Sequence, residues 1–203
     1  MDLKSHWDEA YSSKAVSDRS WSESGESDAL DEFNVANISI EDGIIDVGGG
    51  ASTFVLSLLQ RGYVNITVLD ISQNAISEAK TMLGDEQEDV KWVIADIVQW
   101  EPSETYAYWN DRAVFHFLVN EVDQNAYVNK VLRATRSGSH IVIAAFATDG
   151  PESCSGLPVK RWSQADLAKL FAGTCKVIRT GHREHLTPWG KTQAFTWVHL
   201  QRI

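Results

Sequence analysis

A run of three glycines follows an acidic residue at the start of an alternating apolar pattern. One valine separates Asp46 from Gly48, Gly49 and Gly50, and a helical pattern begins directly after them. Because glycine has no Cβ, such a loop between a strand and a helix lets a ligand approach the backbone. Several nucleotide-binding families share this feature. The dinucleotide-binding fingerprint requires a third glycine where Thr53 stands, and a Walker loop requires a lysine that does not follow here.

The charge of Asp46 separates the ligands that such a loop can take. A carboxylate two residues before the loop opposes a pyrophosphate at the N-terminus of the next helix. S-adenosylmethionine instead carries an ammonium and a sulfonium, and it has no phosphate. The pattern therefore favours S-adenosylmethionine over NAD. In the structural alternative, Asp46 only accepts hydrogen bonds from the amides of the loop.

Two more carboxylates end the next two predicted strands. Asp70, followed by Ile71, is placed to accept hydrogen bonds from both hydroxyl groups of a ribose, a feature that S-adenosylmethionine and NAD share. Asp96 is placed to accept from an adenine amino group while an amide near Ile97 donates to the ring. The carboxyl ends of parallel strands meet at one edge of a sheet, so these residues predict a cofactor site there.

Short apolar segments alternate with amphipathic stretches from Gly43 onward. The predicted strands are residues 44–47, 66–69, 90–95, 106–111 and 141–146. The face of the first helix between them is predicted by Ala51, Phe54, Val55, Leu58 and Leu59. This alternation predicts a parallel sheet with helices on both faces. Two β-rich stretches, 176–186 and 192–201, follow each other at the C-terminus and predict a hairpin, so one of them runs antiparallel.

The bulk composition narrows the choice of partner and location. The 203 residues carry a formal net charge of −10. The longest candidate for a basic patch is Lys160-Arg161, which is too short to bind a phosphate backbone, so we expect no nucleic-acid partner. The longest apolar run, residues 141–147, is too short to cross a bilayer. The first seven residues lack the pattern of a signal peptide. We therefore expect a cytoplasmic protein without a membrane partner.

The first 40 residues differ in composition from the rest of the chain. They are rich in Ser, Asp and Glu, with isolated aromatic residues at Trp7, Tyr11 and Trp21. We expect residues 1–40 to form one or two helices that cover the ligand opening as a lid, with Trp21 at the cofactor. Residues 41–203 would then form the binding domain. The alternative is a partly ordered N-terminal tail.

In this order, the motifs resemble those of the class I S-adenosylmethionine-dependent methyltransferases, from about Ile44 to the C-terminus. Residues 109–117 and 149–158 resemble an uncharacterised bacterial-type branch, and Asp111-Arg112-Ala113 is similar to the thiopurine and small-thiol methyltransferases. The resemblance implies a Rossmann-like α/β fold. Its sheet has seven strands, mostly parallel with the last strand antiparallel, and helices on both faces.

The resemblance also implies roles for the cofactor residues. Gly48 to Gly50 would wrap the methionine portion, Asp70 would hold the ribose, and Asp96 with Ile97 would hold the adenine. The family often has a further glycine where Ser52 stands. Ser52 is compatible with the first turn of a helix, so this departure weakens the motif only slightly.

Methyl transfer is an in-line displacement at a cationic sulfur, so the acceptor must approach the methyl group from its far side. Asn110, as a cofactor contact, and Asp111 lie at the end of the fourth strand and are expected beside the sulfonium and the acceptor. Arg112 would bind an anionic acceptor or pair with Asp111. His116 is the candidate general base, with a purely structural role as the alternative. The predicted catalytic residues are therefore Asp111, Arg112 and His116.

Other candidate features surround the acceptor. We expect the loop 154–158 to close over it and Trp189 to line its pocket, while a nucleophilic role for Cys154 has little support. His182 and His185 are three residues apart, so on a strand they point to opposite faces and predict no metal site. A small-molecule acceptor is favoured, because no large accessory domain or basic surface is visible. The alternatives are a protein lysine methyltransferase and a module that binds the cofactor without catalysis.

Overall fold

A computed structural model of the chain describes residues 2–13, 15, 18–22, 27–50 and 52–203. Its main sheet is formed by β1 (Ile44–Val47), β2 (Ile66–Asp70), β3 (Val90–Ile94), β4 (Tyr106–Arg112), β5 (Thr135–Phe146), and, after a small hairpin, by β8 (Cys175–Leu186) and β9 (Thr192–Arg202). The small hairpin consists of β6 (Ser153–Cys154) and β7 (Leu157–Pro158).

The seven strands of the main sheet lie in the order β3-β2-β1-β4-β5-β9-β8. Strands β1 to β5 pair in parallel, whereas β9 runs antiparallel to both β5 and β8. The predicted seven-stranded sheet with an antiparallel last strand is confirmed. The strand order reverses between β1 and β4, which is where open α/β sheets bind ligands.

Six α-helices accompany the sheet in the described part of the chain. They are α1 (Leu3–Ser13), α2 (Leu30–Ala36), α3 (Thr53–Gln60), α4 (Gln73–Leu83), α5 (Glu121–Ala134) and α6 (Gln164–Lys169). Ser52, Ser72 and Ser163 cap the starts of α3, α4 and α6, because each side chain accepts a hydrogen bond from a backbone N–H of the first turn. Helix α4 ends at Gly84, where φ is +59°.

Alternate residues of the central strands face opposite sides of the sheet. On one side, Ile45 and Trp109 pack in a core with Tyr127 of α5 and Leu167 of α6. On the other side, Ile44 and Tyr108 pack in a second core with Phe33 of α2, Phe54 of α3 and Ile76 of α4. The sheet is therefore covered on both faces, which holds the carboxyl ends of its strands in fixed positions.

The element boundaries agree with the sequence except in β5. The predicted strands 44–47, 66–69, 90–95 and 106–111 are confirmed to within one residue. Strand β5 begins at Thr135, six residues before the predicted start, because residues 136–138 are exposed and polar and give no apolar signal. The helix predicted after the glycine loop is α3, although Ala51 lies outside the described residues.

Two helices, α1 and α2, lie within the first 40 residues. Part of the predicted N-terminal lid, namely residues 1, 14, 16, 17 and 23–26, lies outside the described residues. In the part of the chain that the structure describes, no helix combines the length and the apolar character that crossing a bilayer requires.

Candidate functional site

A cavity opens at the carboxyl ends of the parallel strands, next to the point where the strand order reverses. It contains about 1170 Å³ of space free of protein atoms, including its open mouth. Pockets of about 300–1000 Å³ are usual for drug-sized ligands, so a nucleoside cofactor fits this volume. Its floor consists of residues that end or follow β1, β2, β3 and β4, namely residues 46–49, 69–71, 95–97 and 112–114.

The glycine loop after β1 is packed closely against the side chains around it. A Cβ added to Gly49 would collide with the carboxylate of Asp46, and one added to Gly50 would lie 2.8 Å from Oδ2 of Asp70. Gly48 has a φ of +69°, and a Cβ there would collide with Val114. The three glycines therefore leave a backbone surface that no larger residue can provide.

Asp46 is buried beneath this loop and lines the cavity. Its Oδ1 accepts a hydrogen bond of 2.7 Å from the side-chain amide of Asn110. Asn110 is also buried, but it does not line the cavity. Asn110 thus orients the carboxylate of Asp46 instead of reaching the ligand space itself.

Asp70 ends β2 and is held by two backbone amides. Its Oδ2 accepts from the N–H of Gly50 at 3.1 Å and its Oδ1 from the N–H of Ser72 at 2.8 Å. Burial raises the pKa of the Asp70 carboxyl to about 6, although these two amides act in the opposite direction. The side chain lines the cavity together with Ile71.

Asp96 and Ile97 follow β3 and line the far end of the same cavity. The N–H of Val98 donates to Oδ1 of Asp96 at 3.0 Å, which fixes the carboxylate in a turn. Ile97 is buried and adds an apolar surface beside it. Three carboxylates that are far apart in the sequence, those of Asp46, Asp70 and Asp96, thus meet in one cavity.

The structure places Asp111 inside the core and outside the cavity. Its Oδ1 accepts from the N–H groups of Val114 and Phe115 at 2.9 and 3.3 Å, and its Oδ2 accepts from the hydroxyl of Tyr127 at 2.5 Å. Burial raises the pKa of the Asp111 carboxyl to about 6. These contacts close the turn at Ala113, where φ is +73°. The geometry therefore gives Asp111 the role of shaping the cavity wall, which differs from the expected position beside the acceptor.

His116 also lies in the core and does not line the cavity. Its Nδ1 accepts from the N–H of Phe146 at 3.2 Å, and its ring packs against Phe146 and Phe117. Burial lowers the pKa of the imidazole to about 3, with the charge of Arg112 adding to the effect. A base with so low a pKa takes up a proton poorly at neutral pH. This placement favours the structural alternative for His116.

Arg112 lines the cavity. Its guanidinium does not contact the carboxylate of Asp111, because consecutive residues of a strand point to opposite faces of the sheet. Its Nη1 donates to the carbonyl of Trp21 at 3.1 Å and its Nη2 to Nδ1 of His185 at 3.1 Å. The pairing of Arg112 with Asp111 that the sequence left open is therefore wrong. The contact with His185 carries no local sequence signal, since 73 residues separate the two.

The N-terminal segment, meaning the described residues from 2 to 22, covers the cavity with aromatic side chains. Trp7, Tyr11 and Trp21 line the cavity, and Phe117 meets them from the opposite side. The ring of Trp7 contacts Trp21 and Phe117 edge-on, with centroid distances of 5.6 and 5.1 Å. Tyr11 packs on Trp21 at 5.7 Å. The predicted position of these residues at the opening agrees with the structure.

Polar contacts of Asp8 and Arg19 fasten the N-terminal segment to α4. Oδ1 of Asp8 accepts from the hydroxyl of Ser72 at 2.8 Å and from the N–H of Asn74 at 3.3 Å. Arg19 forms an ion pair of 2.6 Å with Glu78. The segment thus contacts the helix that begins directly after Asp70. No local sequence pattern indicates these contacts, because they join residues about 60 positions apart.

Of the remaining candidate residues, one lines the cavity and the others lie outside it. Cys154, in the β6–β7 hairpin, lines the cavity, as expected for the loop 154–158. Trp189 is 56% exposed in the turn between β8 and β9 and does not line the cavity, so its predicted position was wrong. His182 is exposed and His185 is buried, as their odd spacing on the strand predicts. Among the described residues, no group of three or more His, Cys, Asp or Glu is arranged to hold a metal ion.

The central part of the chain is similar to a known protein family. Residues 44–138 match the model of a family described as a methyltransferase domain. The matched region runs from β1 into β5 and contains the glycine loop and all three acidic strand ends. No curated protein matches the sequence significantly.

Several solved structures share the fold. One concerns the conversion of a disulfide bond into a thioacetal group during echinomycin biosynthesis; it is 20% identical, has a TM-score of 0.75 and covers 98% of this chain and 92% of its own. A SAM-dependent methyltransferase from Methanosarcina mazei is 14% identical, with a TM-score of 0.70 and coverage of 84% and 97%. The 1,6-didemethyltoxoflavin-N1-methyltransferase of Burkholderia thailandensis, solved with 1,6-didemethyltoxoflavin and S-adenosylhomocysteine, is 14% identical, with a TM-score of 0.68 and coverage of 86% and 75%.

Proposed function

We propose that the chain is a class I S-adenosylmethionine-dependent methyltransferase and that it methylates a small-molecule acceptor by in-line displacement. Its cofactor, S-adenosyl-L-methionine, supplies an electrophilic methyl group on a positively charged sulfur. The proposal rests above all on one observation, that the cavity lined by the three carboxylates is also lined by aromatic side chains of the N-terminal segment and by Phe117. We call the residues Trp7, Trp21 and Phe117 that form its side the aromatic wall.

The residues around the cavity fit this cofactor by shape and by charge. The glycine loop is a bare backbone surface, because a Cβ on Gly48 or Gly49 would collide with Val114 or Asp46. We assign Asp46, Gly48 and Gly49 to the methionine portion, since a buried carboxylate favours a ligand with an ammonium over one with a phosphate. Gly50 does not line the cavity, and its N–H supports Asp70 instead.

The other two carboxylates suit the nucleoside. We assign Asp70 to the ribose hydroxyls, because each of its oxygens accepts one backbone N–H and retains a second lone pair for a hydroxyl donor. We assign Asp96 to the adenine amino group and Ile71 and Ile97 to the faces of the ring, since both are apolar and line the same part of the cavity. Trp21 completes this set from the N-terminal segment.

The aromatic wall supports a small acceptor over a protein side chain. The N-terminal segment lies across the cavity, whereas a lysine methyltransferase requires an open groove for a peptide. Trp7, Trp21 and Phe117 offer apolar faces and edges, which suit a compact and largely apolar molecule. The bound 1,6-didemethyltoxoflavin of the Burkholderia enzyme is an example of a small acceptor on this fold.

The protonation states suggest which nucleophile the acceptor carries. His116 is neutral and buried, and Asp111 is held by Tyr127 and two backbone amides, so neither is placed to take a proton from the acceptor. Among the described residues, the carboxylates that line the cavity are those assigned to the cofactor. We therefore favour an acceptor that reacts without a protein base, such as a thiol that ionises readily. A structure of similar fold that concerns sulfur chemistry supports this choice.

The acceptor is tested with a panel of small thiols, amines, phenols and halide ions, with S-adenosylhomocysteine formation as the readout. We expect turnover with apolar thiols. Replacing Trp7 with Ala opens the aromatic wall and should lower kcat/KM for such a thiol by about tenfold, the scale of one lost aromatic contact. Turnover of unfolded peptides or of histone-like lysine peptides, with none of the small molecules methylated, would contradict the proposal.

A further inference from the structure

Two side chains of the main sheet, those of Arg112 and His185, form hydrogen bonds with the backbone of the N-terminal segment. Nη2 of Arg112, at the end of β4, donates to Nδ1 of His185 on β8 at 3.1 Å. Nη1 of the same guanidinium donates to the carbonyl of Trp21 at 3.1 Å. Nε2 of His185 contacts the carbonyl of Ser20 at 2.7 Å. Two neighbouring carbonyls of the segment are thus bound by two neighbouring side chains, which we call the Arg112–His185 pair.

These contacts allow only one tautomer of His185. A guanidinium donates hydrogen bonds and never accepts them, so Nδ1 of His185 must be the acceptor. The ring proton then lies on Nε2, where it is donated to the carbonyl of Ser20. All three hydrogen bonds are satisfied together when the imidazole is neutral. His185 is 7% exposed, so water competes little for these bonds.

The two bound carbonyls flank the side chain of Trp21, which belongs to the aromatic wall. Trp21 lines the cavity and packs on Trp7 and Tyr11. On its other side, Arg19 pairs with Glu78 of α4. The short stretch 18–22 is therefore attached to α4 through Arg19 and to the Arg112–His185 pair through the carbonyls of Ser20 and Trp21.

We propose that Arg112 and His185 are positioning residues that keep Trp21 in the wall of the cavity and thereby slow the escape of the bound cofactor. This inference rests on the proposed function of the cavity. His185 does not line the cavity, so it acts through the backbone at Ser20 and not by touching a ligand. Arg112 acts both through the carbonyl of Trp21 and through the orientation that it gives to His185.

The test compares three variants with the wild-type chain. His185→Ala removes both hydrogen bonds of the imidazole. His185→Gln retains one donor and one acceptor on a side chain of similar reach, so it should restore the contact. His182→Ala is the matched control, because His182 lies on the same strand but is exposed and contacts Asp149.

Two readouts are used, and one of them does not depend on any ligand. The first is hydrogen–deuterium exchange of a peptide that spans residues 18–22. The second is the dissociation rate constant of S-adenosylhomocysteine, measured by stopped-flow displacement. For His185→Ala we expect both the exchange rate and the dissociation rate constant to rise by about tenfold, as the loss of one or two hydrogen bonds predicts. His185→Gln should recover most of this change, and His182→Ala should equal the wild type.

A double-mutant cycle separates the pair from two independent contacts. If Arg112 and His185 act as one unit, the variant that combines Arg112→Ala with His185→Ala should release S-adenosylhomocysteine no more than about twofold faster than the more impaired single variant. If the increase in the dissociation rate constant of the double variant equals the product of the two single increases, the residues act separately and the proposal is overturned.

The remaining outcomes are distinct from a failure of the proposed function. If the wild-type chain does not bind S-adenosylhomocysteine, the function of the cavity is wrong, and the exchange experiment still reports on the pair. If the wild type binds it and His185→Ala changes neither exchange nor dissociation, the positioning role is wrong while the proposed function stands. Equal effects of His185→Ala and His182→Ala would also overturn it, because they would show a general loosening of β8.

Discussion

The side-chain amide of Asn110 donates to Oδ1 of Asp46 at 2.7 Å, across the pair of strands where the order of the sheet reverses. In the register of β1 and β4, the two residues are direct neighbours. Both are buried, so the hydrogen bond is protected from water and fixes the direction of the carboxylate. The direction of the first carboxylate of the proposed cofactor site is thus set by a residue outside the cavity.

This relationship predicts that Asn110 matters for cofactor binding without touching the cofactor. Asn110→Ala removes the donor to Asp46 and should weaken the binding of S-adenosylhomocysteine by about tenfold, because a hydrogen bond to a charged group contributes about 1.5–3 kcal/mol. Isothermal titration calorimetry measures the change. Asn65→Ala is the control, since Asn65 lies just before β2 and its side-chain amide makes exposed contacts of 3.4 Å with the carbonyl of Glu41 and with Nζ of Lys91. Equal dissociation constants for Asn110→Ala and the wild type would contradict the role of Asn110.

The glycine loop gives a second prediction, based on space. Gly49→Ala places a methyl group against the carboxylate of Asp46 and should weaken the binding of S-adenosylhomocysteine at least about tenfold, because the loop or the carboxylate must shift. Gly43→Ala is a suitable control, since its added Cβ would meet neighbours at 3.4–3.5 Å, an ordinary contact distance. If both variants bind the ligand as the wild type does, the loop is not part of the site.

Asp70 predicts how cofactor binding depends on pH. The ionised carboxylate is the better acceptor for ribose hydroxyls, and burial raises its pKa to about 6 in the folded chain. Lowering the pH from 7.5 to 5 protonates this group, so the affinity for S-adenosylhomocysteine should fall over that range. Asp70→Asn should bind more weakly at pH 7.5 and lose this part of the pH dependence. Affinities for the two proteins that fall in parallel with pH would assign the titration to another group.

Asp111 gives a prediction about stability. Its pKa is raised from 3.8 to about 6 by burial, so the folded chain binds a proton more tightly than the unfolded chain. The contribution of this group to the unfolding free energy is therefore fully favourable below the unfolded pKa and decreases as the pH rises towards 6. Relative to Asp111→Asn, the wild type should lose about 2–3 kcal/mol between pH 4 and pH 7.

Urea unfolding of the wild type and Asp111→Asn at both pH values measures this difference. Asp111→Asn is needed as a reference because His140 and His199 have lowered pKa values, so their contributions to the unfolding free energy increase as the pH rises. Both proteins contain these histidines, so the comparison isolates the contribution of Asp111. A stability difference that does not change with pH would show that Asp111 has no raised pKa.

The sequence predicted the positions of most residues of the proposed cofactor site because its signals are local. Each carboxylate assigned to the cofactor ends a strand, and a strand end is visible as an apolar run followed by a polar residue. Asp46, Asp70 and Asp96 therefore had predictable positions, since parallel strands bring their carboxyl ends to one edge. The close packing of Gly49 on Asp46 adds a detail that the sequence alone does not contain.

The catalytic predictions were less successful because the direction of a side chain depends on distant partners. Asp111 and Arg112 are consecutive, yet Asp111 contacts Tyr127 of α5 while Arg112 contacts His185 of β8. The attachment of the N-terminal segment through Asp8 and Ser72 joins residues 64 positions apart. No local pattern distinguishes these partners from other polar residues. The narrower likeness to thiopurine and small-thiol methyltransferases stays a prediction.

The most direct test of the cofactor site is calorimetric titration of the wild-type chain with S-adenosylmethionine, S-adenosylhomocysteine and NAD under the same conditions. The three carboxylates and the glycine loop predict micromolar or tighter binding of the first two ligands and none of NAD. Binding of NAD alone, or no binding of S-adenosylmethionine by the folded chain, would contradict the proposed cofactor site.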